Sequence, residues 1–217
     1  MEKDTLYHPP LMPDLLVEGL NRFSDEPCLF LGDKVATYRE VRESTSQMVQ
    51  ALQAKGLGVG SRVAVISGNR PEVLSNIAAM QLAGCCGTPL HPLGSLEDHA
   101  YVLEAAEITT LVYDPTVFEE LAAALKARVP GLEHLLALGP SEAGEDYLAL
   151  AANFTPQPLQ APAIGPEDLS SVNFTGGTTG RPKGVMGTHR AVAYMTQIQM
   201  AEWEFPEPLR MLIATPL

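Results

Sequence analysis

Cysteine and basic residues are scarce in this sequence of 217 residues. Its three cysteines, Cys28, Cys85 and Cys86, are odd in number and two of them are adjacent, so no disulfide framework is indicated. No C-x-x-C spacing is present either, and no zinc site is predicted. Lys and Arg number 14 against 26 Asp and Glu, for a formal net charge of −12. This balance argues against nucleic-acid binding and against docking on anionic membranes, which both need clustered basic residues.

Long hydrophobic runs are also missing. The longest weakly polar stretch, residues 77–90, is too short and too broken by glycine to span a bilayer, so no transmembrane segment is predicted. Residues 1–13 lack the basic and apolar regions of a secretory signal. These features predict a cytoplasmic, reducing location. Hydrophobic residues still make up 46% of the chain, which is enough to bury the core of one or two domains.

Strand-like and helix-like segments alternate along much of the chain. The predicted strands cover residues 28–31, 35–37, 62–67, 85–90, 108–113 and 134–138, and the predicted helices cover residues 38–52, 71–83, a segment opening at Ser95, and 115–128. Proline at position 71 suits the first turn of a helix, and Ser95 with Asp98 forms a weak capping box. The alternation predicts an α/β fold, with a mostly parallel sheet over residues 28–139 flanked by helices.

A proline-rich segment divides the chain. Residues 154–166 carry four prolines, a composition typical of a rigid surface linker. We therefore expect an α/β N-terminal subdomain over residues 1–153, a linker over 154–167, and the start of a second, β-rich subdomain over 168–217. No sheet is expected to continue through the linker.

The second unit is predicted to contain a glycine-rich loop, a strand at 184–186, a helix from about residue 190 to 203, and a strand at 210–215. The chain ends at Leu217, directly after that last strand. Because chain ends usually fall in exposed, flexible segments, we expect an artificial or proteolytic boundary here.

The glycine-rich loop is the most informative feature. Residues 174–184 read FTGGTTGRPKG and follow a strand-like segment, residues 169–174. Glycines allow close backbone approach to a ligand and let successive N–H groups point at one anion. Threonine hydroxyls and Lys183 add further donors, so the loop suits a polyphosphate. It lacks the G-K-S/T ending of a Walker A loop. The alternative is a glycine-rich hairpin turn that binds nothing.

The loop closely resembles the phosphate-binding signature of the adenylate-forming enzymes, Y/F-T/S-S-G-S/T-T-G-x-P-K-G. Gly176 departs from it by standing where that family usually has serine. Weaker likenesses to acyl-CoA synthetases occur in order at residues 36–40, 56–69, 83–92 and 188–190, so the resemblance covers about residues 15–217. Within the family the sequence is most similar to bacterial fatty-acid–CoA ligases.

The resemblance implies a two-step reaction. A carboxylate attacks the α-phosphorus of ATP, with Mg²⁺ present, and coenzyme A then takes the acyl group from the adenylate. The residues implied to hold the ATP phosphates are Thr175, Gly176, Gly177, Thr178, Thr179, Gly180 and Lys183. The family's adenine-binding, ribose-binding and catalytic lysine segments are not found in these 217 residues. We therefore expect no catalytic residue within the chain, and expect it to be an inactive N-terminal fragment of such a ligase.

Other candidate residues have simpler interpretations. His91 and His99 lie eight apart, which is no helical metal pair, and no metal site is predicted. His189 could contact phosphate, although packing or capping of the next helix is more common. We interpret Cys85 and Cys86 as buried and inert. We interpret residues 67–70 as a strand-to-helix turn and Trp203 as a partly exposed packing residue. The acidic cluster Glu142, Glu145 and Asp146 is interpreted as a solvated loop.

Several alternatives stay open at this stage. The chain could be a nucleotide-binding or regulatory module that kept the fold and lost the chemistry. The acid could be aryl or alicyclic, since most of the acyl pocket is not expected in these residues. The oligomeric state is also open, and a homodimer of the chain could be produced by apolar surface exposed at the boundary.

Overall fold

The computed structural model describes residues 9–175, 181–206 and 209–214. Its helices are α1 (Met12–Arg22), α2 (Tyr38–Ala54), α3 (Pro71–Ala83), α4 (Leu96–Ala105), α5 (Pro115–Arg128), α6 (Tyr147–Ala152) and α7 (His189–Glu202). Its strands are β1 (Pro27–Leu31), β2 (Lys34–Thr37), β3 (Arg62–Ile66), β4 (Cys86–Pro89), β5 (Thr110–Tyr113), β6 (His134–Ala137), β7 (Glu145–Asp146), β8 (Leu169–Thr175) and β9 (Lys183–Thr188). The predicted alternation of strands and helices is confirmed.

Seven strands form the main sheet, in the order β7-β6-β5-β3-β4-β8-β9. Every neighbouring pair is parallel except β8 and β9, which run antiparallel. The hairpin β1–β2 forms a separate two-stranded sheet. The predicted class, a mostly parallel sheet flanked by helices, is confirmed.

The central strands are buried on both faces, as parallel sheets require. Alternate residues of one strand enter different clusters: Ala64 and Ile66 pack with residues of α4 and α5, whereas Val63 and Val65 pack with residues of α2, α3 and α6. The two hydrophobic clusters therefore lie on opposite faces of the sheet, and the helices cover both.

Short polar side chains begin several helices. Thr37 caps α2 and Ser95 caps α4, and each forms a reciprocal capping box with an acidic residue three positions on. Thr188 accepts a hydrogen bond from the N–H of Ala191 and so caps α7. Gly84 ends α3 at φ +78°, a conformation that favours glycine. The weak capping box predicted at Ser95 is thus a complete one.

The linker contains no helix or strand, and α2 holds it in place. The Ser46 hydroxyl donates to the carbonyl of Gln157 at 2.9 Å and accepts from its N–H at 2.7 Å. Gln47 and Gln50 donate to the carbonyls of Phe154 and Thr155, both at 2.9 Å. These bonds satisfy backbone groups that no regular structure pairs.

The hairpin β8–β9 extends the main sheet across the linker. Gly87 of β4 pairs with Ser171 of β8 in parallel, and Gln81 donates to the Ser170 hydroxyl at 3.0 Å. The expectation that sheet structure would not continue from the first unit into the second is therefore wrong, although the linker itself is not a strand. The free edge of β4 explains the difference, because its backbone groups need partners. The subdomain limits 1–153, 154–167 and 168–217 stay a prediction.

Two local predictions also need correction. Residues 210–214, predicted as part of a strand, form none in the described structure, where no neighbouring strand pairs with them. Sequence analysis also missed α1, α6 and the short strand β7. β7 consists of two residues of the acidic cluster, Glu145 and Asp146, and α6 follows it directly.

Candidate functional site

Strands β8 and β9 flank the glycine-rich loop at one edge of the sheet. Five of the predicted phosphate-binding residues lie outside the described residues: Gly176, Gly177, Thr178, Thr179 and Gly180. Their role stays a prediction. The other two, Thr175 and Lys183, are the last residue of β8 and the first of β9.

The hairpin brings Thr175 and Lys183 together. They are cross-strand partners, and the Thr175 hydroxyl donates to the Lys183 carbonyl at 3.4 Å. Directly paired residues of antiparallel strands share a face, so the hydroxyl and the ammonium lie on the same side of the hairpin. Both residues are exposed, and Lys183 forms no ion pair within the described part of the chain. A free cation beside a hydroxyl donor is chemically suited to a phosphate.

The opposite face of the hairpin packs against the body of the protein. Phe174 pairs with Gly184, and a Cβ placed on Gly184 would lie 3.1 Å from the Phe174 ring and 3.0 Å from Val172 Cγ1. The closing glycine of the loop therefore leaves room for the Phe174 ring. That ring meets Tyr101 of α4 edge to face, with centroids 6.4 Å apart.

Tyr101 contacts the other side of the loop as well. Its hydroxyl donates to the carbonyl of Pro182 at 3.3 Å, and the Arg181 guanidinium stands 5.2 Å from its ring centroid. Sequence analysis missed both Tyr101 and Arg181. Their separation of eighty positions carries no local pattern, so only the packing of α4 beside the hairpin reveals the contact.

Two of the three candidate histidines are buried. His189 is 1% exposed and His99 is 2% exposed, and burial lowers the pKa of each imidazole. His189 is the first residue of α7, and its backbone N–H donates to the carbonyl of Asp168 at 3.0 Å. The structure thus packs His189 into the start of the helix. His91 is exposed and accepts a hydrogen bond from the N–H of Leu93.

The cysteines have the character of packed side chains. Cys85 and Cys86 are both buried. Burial raises the pKa of the Cys85 thiol to about 12 and also raises the pKa of Cys86. Neither thiol is ionised near neutral pH, so both are poor nucleophiles, as predicted. In the described ranges, no three His, Cys, Asp or Glu residues are grouped so that they could hold a metal ion.

An internal ion-pair network occupies the turn at residues 67–70. Arg70 contacts Asp114 and Glu72, each at 3.0 Å. Burial opposes ionisation of Glu72, but hydrogen bonding from Arg70 outweighs it and lowers the pKa of that carboxyl. Residues 67–70 connect β3 to α3, as predicted, and Arg70 pairs with two carboxylates outside the turn.

The acidic cluster makes specific contacts with the rest of the protein. The carboxylate of Glu119 accepts hydrogen bonds from the backbone N–H groups of Glu142 and Ala143, at 2.8 and 2.7 Å. Glu145 forms an ion pair with Lys55, and Asp146 caps α6. Glu142 and Glu145 are exposed, as expected of a solvated segment, although Glu145 and Asp146 form the short strand β7. Trp203 is 57% exposed and meets Phe205, which matches its predicted packing role.

The sheet and its edge hairpin, with Thr175 paired to Lys183 at the two ends of a glycine-rich segment, define an α/β protein with a mostly parallel sheet. The pattern of the AMP-binding enzyme family matches residues 16–217. The chain belongs to this family, which confirms the resemblance to adenylate-forming enzymes.

Similar proteins support this assignment. The chain is 47% identical, over 209 residues, to the medium/long-chain fatty-acid–CoA ligase FadD8 of Mycobacterium tuberculosis, covering 94% of this chain and 37% of that protein. It is 32% identical to a long-chain fatty-acid–CoA ligase of Thermus thermophilus, covering 72% of this chain and 28% of that protein. The solved structure of the amide bond synthetase McbA from Marinactinospora thermotolerans matches with a TM-score of 0.80 at 28% identity, over 93% of this chain and 40% of McbA.

The chain thus spans well under half the length of these relatives. Within the described residues, no helix has the length and hydrophobicity to cross a membrane.

Proposed function

We propose that this chain provides the ATP phosphate-binding hairpin of an ATP-dependent fatty-acid–CoA ligase. The observation that carries the proposal is the exposed pair Thr175–Lys183, set at the mouth of the glycine-rich loop. The 47% identity to a protein named as a medium/long-chain fatty-acid–CoA ligase supports the choice of acid.

The residues present fit a polyphosphate. Lys183 has no carboxylate partner within the described residues, so its charge is available to a ligand. When the acid's carboxylate attacks the α-phosphorus, the bond to the β-phosphate breaks and negative charge builds on the departing pyrophosphate. Lys183, Thr175 and the loop N–H groups would stabilise that charge. Mg²⁺, where bound, would supply further charge neutralisation.

The second step takes the acyl group from the adenylate to the thiol of coenzyme A and releases AMP. Pyrophosphate has left by then, so the hairpin serves chiefly the first step. Because the chain spans 37% of the mycobacterial relative, we place the adenine, ribose and thiol contacts in sequence that these 217 residues do not contain. The chain alone would then be inactive, since it cannot hold the reacting groups in line. We also propose a cytoplasmic location for the enzyme.

The test is acid-dependent exchange of pyrophosphate into ATP by the natural full-length protein, using medium- and long-chain fatty acids beside aryl and alicyclic acids. We expect exchange with fatty acids, coenzyme A–dependent thioester formation, and neither with the 217-residue chain. Exchange with aryl acids alone would overturn the choice of substrate. Absence of exchange with every acid would favour a non-catalytic nucleotide-binding module.

A further inference from the structure

The hairpin that carries Thr175 and Lys183 is joined to the body of the sheet near one end. The pairing of β8 with β4 is at Ser171, and the hydrogen bond from Gln81 is to Ser170. Thr175 and Lys183 lie at the far end of the same hairpin. Antiparallel pairing fixes these two residues relative to each other, but it does not fix the hairpin mouth relative to the sheet.

Tyr101 of α4 contributes a second attachment, beside the packing of Phe174 on the core. Tyr101 touches Phe174 on the strand that enters the loop and Pro182 on the segment that leaves it. The Arg181 guanidinium adds a cation–π contact to the same ring. Tyr101 and Phe174 both pack against the core cluster between α4, α5 and the sheet, so Tyr101 links the hairpin mouth to a rigid part of the molecule.

We propose that Tyr101 is a positioning residue for adenylation, which holds the hairpin so that Lys183 and Thr175 meet the departing pyrophosphate. The inference rests on the function proposed above. Tyr101 packs on the face of the hairpin opposite to the Thr175–Lys183 pair, so it acts through the hairpin without touching the phosphates.

The hydroxyl and the ring of Tyr101 make different contacts, so two substitutions separate their contributions to adenylation. Tyr101→Phe removes only the hydrogen bond to Pro182, and we expect kcat/KM for ATP in adenylation to fall about fivefold. Tyr101→Leu also removes the aromatic pair and the cation–π contact, and we expect a fall on the order of thirtyfold. Tyr113→Phe is the matched control, because it removes a hydroxyl from the same core cluster whose partner is Ser141 and not the hairpin.

The experiment measures both half-reactions in the natural full-length protein, for each variant alone and combined with Lys183→Ala. We expect Tyr101 variants to slow adenylation while thioester formation from preformed acyl-adenylate stays within about twofold of wild type. In the Lys183→Ala background, Tyr101→Leu should cost less than about threefold, because its effect passes largely through Lys183. Tyr113→Phe should leave the kcat/KM for ATP unchanged.

The results that would contradict the inference can be told apart from one another. Equal slowing of both half-reactions, or full additivity of Tyr101→Leu with Lys183→Ala, would mean that Tyr101 only supports the fold and would overturn the inference. If Tyr101→Leu fails to fold, the same readouts in Tyr101→Phe decide, since that variant keeps the ring. An active wild type with unaffected Tyr101 variants would overturn this inference alone, whereas an inactive wild type would overturn the proposed function and this inference with it.

Discussion

Replacing Gly144 with alanine probes the packing of the ordered acidic loop against β6. A Cβ at this position would lie 2.8 Å from the carbonyl oxygen of Leu135, 2.8 Å from the Tyr113 hydroxyl and 2.9 Å from Leu135 Cβ. The Leu135 oxygen belongs to the backbone of β6, which is paired on both sides, and it cannot rotate away. The loop must therefore move, and the N–H of Gly144 would leave its 3.0 Å hydrogen bond to the Ser141 hydroxyl.

The magnitude follows from these contacts. Overpacking of this kind costs about 1–3 kcal/mol, and the weakened hydrogen bond adds about 1 kcal/mol. For a chain of this size, each kcal/mol lowers Tm by about 2–4 °C. We therefore expect Gly144→Ala to lower the free energy of unfolding by about 2–4 kcal/mol and Tm by about 4–16 °C.

The assay is thermal and urea denaturation of the 217-residue chain followed by circular dichroism. Gly131→Ala is the matched control, because a Cβ there meets nothing within 4 Å, and we expect it to change stability by less than about 0.5 kcal/mol. A Gly144→Ala chain as stable as the Gly131→Ala chain would refute the described packing of the loop.

Three further predictions follow from the site, the linker and the buried histidines. Lys183→Ala in the full-length protein should slow adenylation about 100-fold while sparing thioester formation from preformed adenylate; equal slowing of both steps, measured separately, would contradict the phosphate role. Ser46→Ala should lower the unfolding free energy by about 1–3 kcal/mol, because two linker backbone groups lose their partner. In the same denaturation assay, Thr45→Val should cost nothing, since the Thr45 hydroxyl has no partner among the described residues. Burial lowers the pKa values of His99 and His189 in the folded chain, so the unfolded chain binds protons more readily and Tm should fall as the pH drops through the ordinary histidine pKa of about 6.5; a Tm that stays flat from about pH 7 to 5.5 would contradict this.

Local sequence patterns predicted those helices and strands whose formation depends on residues that are close together in the chain. The capping box at Ser95, the helix opened by Pro71 and the alternation of strands with helices all predicted structure that is observed. These signals are local because a helix cap or a strand pattern involves residues a few positions apart.

Sequence analysis did not predict the contacts between segments that are far apart in the chain. The pairing of β8 with β4 joins residues on either side of the linker. The backbone N–H groups of residues 142 and 143 donate to the Glu119 carboxylate, a contact that the acidic composition of this segment does not indicate. Residues 210–214 are apolar enough to predict a strand, yet strand formation needs a partner, which no described strand provides.

The sequence by itself indicated the family and predicted a phosphate-binding role for the hairpin, because the glycines, threonines and lysine of residues 174–184 lie next to one another and their spacing is the signal. Only the tertiary structure decided where that hairpin sits, at the antiparallel edge of a parallel sheet, with Lys183 opposite Thr175 on one face. It also decided that Tyr101 supports the other face. The physical reason is that a side chain from one helix reaches a distant loop through packing, which no periodicity along the chain encodes.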